Sequence, residues 1–157
     1  MDEERQALVE AVGAALRGSQ QAADSLADAV ADRFGINRTD LRHLELLCAG
    51  PLSAGQLSER SGLSRAAMTA LIDRLERKGY VRRARDVADR RRVFVELTDR
   101  AKAASEEMYA PLAKDGQALL AGCSDEQLTV LREFLSADQA LSERHHERIQ
   151  PDCPKAG

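Results

Sequence analysis

Aromatic residues make up only 3% of this 157-residue chain, and tryptophan is absent. A β-sandwich leans on aromatic and β-branched side chains, so a core of Leu, Val and Ala points to packed helices instead. The cysteines Cys48, Cys123 and Cys153 are odd in number and lack C-x-x-C spacing, which argues against a disulfide framework or a structural zinc. His145 and His146 are adjacent and diverge on a helix, so they make no metal site with Cys153. There is no run of about 18 apolar residues and no cationic stretch followed by an apolar one at the N-terminus. Neither a membrane span nor a signal peptide is expected, and the cytoplasm is the expected location. A Gly-rich phosphate loop, a nucleophile elbow and a His/Asp/Glu set at a catalytic spacing are all missing. Enzyme chemistry is therefore not expected, nor is a cofactor or metal.

What is present is concentrated between Ser53 and Leu97. Met68, Leu71, Ile72 and Leu75 recur at i, i+3, i+4 and i+7, which predicts a helix from about Ser64 to Lys78 with one apolar stripe facing a core. Its other face carries Ala66, Thr69, Ala70, Asp73 and Arg77, with Arg65 and Arg74 at the edges. Small side chains there allow close approach to another surface. Gly79 is placed to end the helix in a left-handed cap. Ser53 and Gln56 have the spacing of a capping box that opens a short helix to about Arg60, and Ser61-Gly62-Leu63 turns the chain into Ser64. After the helix, the extended runs 81–85 and 92–97 flank a polar tip, 86–91. The unit reads as helix, turn, helix, hairpin.

The flanks are helical in pattern. Residues 3–34 contain no proline and predict one long helix, with Gly13 and Gly18 as points of bending or interruption. Asn37 or Thr39 caps a second helix whose Leu41, Leu44, Leu47 and Cys48 share a face, and Gly50-Pro51 ends it. Beyond the hairpin, residues 98–121 form a third long helical pattern with Pro111 as a kink. Ser124 and Gln127 make another capping box, followed by Leu128, Leu131, Phe134, Leu135 and Leu141 towards Ile149. The expected division is an N-terminal helix (1–36), a helix-turn-helix and hairpin domain (37–98), C-terminal helices (99–150) and a loose tail (151–157).

Charge sharpens the picture. The whole chain has a formal net charge of −3, yet residues 60–92 hold eleven Arg and Lys against four acids, a net +7. Concentrated positive charge beside a helix face that allows close approach is what a phosphate-lined groove attracts, through counterion release and Coulomb steering. Double-stranded DNA is the natural partner. Two long terminal helices with apolar faces have little to bury against in a module of about 60 residues, so a second copy of the chain is their expected partner. A two-fold dimer would set two such helices in successive major grooves, roughly 34 Å apart.

The order of these elements, together with Leu75-Glu76-Arg77-Lys78-Gly79-Tyr80-Val81 and the hairpin tip, resembles the MarR (multiple antibiotic resistance regulator) family over almost the whole chain. The family commonly shows Asp-Pro-x-Asp-Arg-Arg in its wing, before a hydrophobic strand ending in Leu-Thr. This chain has Asp86-Val87-Ala88-Asp89-Arg90-Arg91 and ends the strand in Leu97-Thr98, so Val87 stands where the family usually has proline. The resemblance implies a mostly α fold: a winged helix-turn-helix with long N- and C-terminal dimerisation helices and a small β-hairpin wing. It implies a DNA-binding transcriptional regulator, a repressor released by a small-molecule effector. Ser64, Arg65, Ala66, Thr69 and Ala70 would lie nearest bases, with Arg74 or Arg77 nearer phosphates. Asp89, Arg90 and Arg91 would carry the wing into the minor groove, Asp73 would support it by pairing with Arg91, and His43 would lie near a ligand crevice. Two alternatives stand beside this reading: a winged-helix interaction module that does not bind DNA, and a regulator that senses oxidants through Cys48 or Cys123.

Overall fold

The computed structural model describes residues 2–85 and 92–149. Among the described residues, six helices and three strands follow in the order α1 (Glu3–Phe34), α2 (Arg38–Cys48), β1 (Leu52–Ser53), α3 (Ala54–Ser61), α4 (Arg65–Arg77), β2 (Val81–Arg85), β3 (Val93–Leu97), α5 (Asp99–Leu120) and α6 (Asp125–Ile149). The chain divides into two compact units, residues 1–108 and 109–157.

The first unit holds the core. Leu41, Leu44 and Leu47 of α2, Leu57 of α3 and the stripe Met68, Leu71, Ile72 and Leu75 of α4 are all buried, Met68 completely. Val30, Ala31 and Phe34 from the last turns of α1 join them, as do Val81, Val95 and Leu97 from the strands. Cys48, expected on the buried face of α2, is exposed and its thiol donates to the Leu44 carbonyl at 3.5 Å. Neither Gly13 nor Gly18 interrupts α1, which runs unbroken for 32 residues.

Capping explains most helix limits. Asn37 Oδ1 accepts from the Asp40 amide at 2.8 Å and starts α2. Ser53 and Gln56 form the reciprocal capping box of α3. Ser64 starts α4, its Oγ accepting from the Ala67 amide. At the far end of α4, Gly79 lies at φ 74° while the Tyr80 amide donates to Leu75 O and the Gly79 amide to Glu76 O. That pair of bonds is a Schellman motif, which needs a residue able to adopt the left-handed conformation. Thr98 Oγ1 donates to Gly79 O and accepts from the Ala101 amide, so it fastens the end of α4 and opens α5 together.

The hairpin belongs to a three-stranded antiparallel sheet in the order β1-β3-β2. Val81 faces Leu97 and Arg85 faces Val93, while Leu52 and Ser53 pair with Val95 and Phe94 on the other edge of β3. A two-residue strand carries too little alternation to be recognised in a sequence, so β1 emerges only from the fold.

The second unit is made of the end of α5 and α6. None of the 25 residues of α6 is buried, and Val130, Leu131, Phe134, Leu135, Leu141 and Ile149 are exposed on it. Ser124 accepts from the Gln127 amide and Gln127 Oε1 accepts from the Ser124 amide, so the expected capping box is formed. Among the described residues, no helix is long and apolar enough to cross a membrane.

Candidate nucleic-acid interface

Helix α4 is held by its apolar stripe, and the stripe decides what the opposite face presents. With Met68, Leu71, Ile72 and Leu75 turned inward, Ser64, Arg65, Ala66, Thr69, Ala70, Asp73 and Arg77 are all exposed. Thr69 Oγ1 donates back to the Arg65 carbonyl at 2.9 Å, which occupies its hydroxyl proton within the helix. Arg65 stands in the first turn and forms no ion pair with a described residue. Arg77 Nε donates to the Asp73 carbonyl at 3.3 Å, and Arg77 forms no ion pair with a described residue.

Three other arginines of the basic segment are neutralised inside the chain. Arg74 turns to α2, its Nε 2.8 Å from Asp40 Oδ2 and its Nη2 2.5 Å from Asp40 Oδ1. Arg83 on β2 donates to two acids of α4 at once, Asp73 Oδ1 at 2.5 Å and Glu76. Period-two alternation sends the neighbouring Arg82 to the other face of the sheet, where it meets its cross-strand partner Glu96 at 2.7 Å. Each guanidinium is held above its usual range by these bonds: Arg74 by the Asp40 hydrogen bond, Arg82 by that of Glu96, and Arg83 by that of Asp73 with Glu76 adding to it.

The wing residues Asp89, Arg90 and Arg91, and with them the expected Asp73–Arg91 pair, lie outside the described residues. Asp73 and Arg83 already tie the recognition-helix candidate to the base of the wing. His43 is 1% exposed within the core; its Nδ1 lies 2.6 Å from the Thr39 carbonyl, and its Nε2 has no partner among the described residues. A ligand would reach it only if the surrounding side chains moved. No group of His, Cys, Asp and Glu able to hold a metal occurs among the described residues.

A model of the MarR family matches residues 34–92, the stretch from the end of α1 to just before β3. Over 123 residues, a longer span than that stretch, the chain is 35% identical to the uncharacterized HTH-type transcriptional regulator YcgE of Bacillus subtilis (strain 168), covering 78% of this chain and 80% of that protein. The chain belongs to the MarR family. A MarR family protein from Bacillus stearothermophilus has the same fold with a TM-score of 0.59, at 26% identity, over 96% of this chain and 99% of its own. The HTH-type transcriptional repressor YetL of Bacillus subtilis (strain 168) is 34% identical over 76 residues, which is 48% of this chain and 46% of YetL. For a MarR-family chain, the helix-turn-helix is α3 and α4, and the wing is β2 and β3.

The sequence placed α4 and its outward face but missed Asp40. An acid in the first turn of a helix is ordinarily read as a complement to the helix dipole. No local pattern indicates that its carboxylate reaches an arginine 34 positions away.

Proposed function

We propose that this chain is a homodimeric, sequence-specific regulator of transcription that binds double-stranded DNA through α4 and the wing. The observation that carries the reading is the split character of α4: one stripe buried, the other face exposed, small at its centre and cationic at its start. Ser64, Arg65, Ala66, Thr69 and Ala70 are the residues nearest base edges in the major groove, and Arg77 lies nearer phosphates. An arginine fork on guanine O6 and N7 is worth about 1 to 3 kcal/mol of base discrimination. Arg90 and Arg91, with Asp89 orienting the tip, would enter the adjacent minor groove, where narrow A·T tracts concentrate negative potential.

The dimer reading rests on surfaces that a single copy leaves open. On α1, Leu8, Val9 and Val12 are exposed; on α6, so are Leu131, Phe134 and Leu135. A helix with an apolar stripe and nothing buried is a helix awaiting a partner. A two-fold pair of chains matches a palindromic site, one half-site per α4.

Likeness to the repressor YetL supports repression, for which a dimer seated on a promoter and blocking access is the simplest route. Release by a small-molecule effector requires that the effector bind more tightly to a dimer geometry whose recognition helices no longer fit the half-site spacing, because a ligand shifts states only by its differential affinity. Selection of bound sequences from random duplex DNA tests the reading. A palindrome is the expected product, and recovery of no preferred duplex would leave the interaction-module alternative standing.

A further inference from the structure

The Asp40–Arg74 pair joins two elements with different roles. Asp40 is fixed twice: its amide donates to Asn37 Oδ1 in the cap of α2, and its carboxylate, 1% exposed, takes two bonds from Arg74. Arg74 lies at the edge of the outward face of α4, and its side chain is 38% exposed. Two further bonds fasten the same end of α4 to the end of α1. Lys78 Nζ donates to Gly35 O and Tyr80 Oη to Phe34 O, each at 2.8 Å. Those carbonyls belong to the last residue of α1 and to the glycine that caps it, where helix geometry leaves them without intrahelical partners.

We propose that Arg74 is a positioning residue: it sets the angle at which α4 enters the groove by gripping Asp40, and it contributes nothing to phosphate neutralisation. The proposal rests on the DNA-binding reading. A guanidinium already compensated by a carboxylate at 2.5 Å brings no net charge to the backbone, so its approach releases no counterion. The bidentate fork also fixes direction as well as distance, and an ammonium cannot reproduce it. The α2 helix thereby acts as a backstop for the C-terminal half of α4, while the N-terminal half, with Arg65, is free to read.

Salt dependence separates positioning from neutralisation. Duplex affinity is measured from low to moderate salt for the wild-type chain, Arg74→Lys, Arg77→Met and the double variant Asp40→Leu/Arg74→Met. The apolar double variant leaves no buried charge unpaired, so it keeps the fold measurable if Arg74→Lys does not fold. The expected result is a wild-type salt slope in both Arg74 variants and a slope shallower by about 0.9 in Arg77→Met. Arg74→Lys should also lose about tenfold in its preference for the selected site over random duplex. A slope lowered by about 0.9 in the double variant, or an unchanged site preference in a folded Arg74→Lys, overturns the proposal. If the wild-type chain binds no duplex at all, the DNA reading fails and takes this proposal with it; wild-type binding with a lowered slope in the double variant removes the proposal alone.

Discussion

Tyr80 meets Phe34 twice: its hydroxyl donates to the Phe34 carbonyl at 2.8 Å, and the two rings pack edge to face with centroids 5.1 Å apart. One side chain thus satisfies an orphan carbonyl of α1 and fills the core beneath it. Tyr80→Phe keeps the ring contact and leaves the carbonyl buried without its donor. The expected loss is roughly 1 to 3 kcal/mol of unfolding free energy in urea. An unchanged midpoint would show that water reaches the carbonyl and that the bond fastens nothing.

The end of α4 depends on backbone conformation at Gly79. A Cβ there would meet Arg100 Nη1 at 3.5 Å, an ordinary contact, so the cost of Gly79→Ala comes from φ 74° rather than from crowding. Destabilisation of about 1 to 2 kcal/mol is expected. Gly79→Asn should cost less, because asparagine tolerates the left-handed region. Equal effects of the two substitutions in denaturation curves would point to sterics instead.

Asp73 sits on the exposed face of α4 and shares Arg83 with Glu76. Both partners are partly exposed, so Asp73→Ala should change stability by less than about 1 kcal/mol. Its larger effect is expected on DNA, through a loosened wing and one fewer negative charge at the interface. Amide exchange in β2 and duplex affinity both report on it; if neither moves, Asp73 does not support the wing.

Arg65 is the arginine of α4 proposed to read bases. Arg65→Ala is expected to alter the base preferred at one position of each half-site, by about 1 to 3 kcal/mol. Repeating the sequence selection with the variant provides the check. The same consensus from both proteins would shift specificity to the wing.

Leu131 and Leu135 lie one turn apart on the open face of α6. Leu131→Asp/Leu135→Asp is expected to halve the mass measured by sedimentation equilibrium and to weaken binding to a palindrome more than to a single half-site. A dimeric mass at micromolar concentration would mean that this face is covered by something other than a second copy.

How much was legible beforehand follows from the range of each interaction. Stripe, cap and Schellman glycine of α4 are all patterns within a few residues, and each is found where the spacing places it. The exposure of Cys48 was not legible, because a helical period states which residues share a face and not how far along the helix the core extends. The two-residue β1 was too short to alternate.

The sequence by itself determined the helices, their caps, the hairpin and the location of the basic segment, because hydrophobic period, capping and turn chemistry act between neighbours in the chain. Only the tertiary structure decided which of those basic residues keep a free charge. Arg74 is claimed by Asp40, Arg83 by Asp73 and Glu76, and Arg82 by Glu96, while Arg65 has no ion-pair partner among the described residues. Electrostatic compensation falls off with distance in space, not with separation in sequence, and the fold sets that distance.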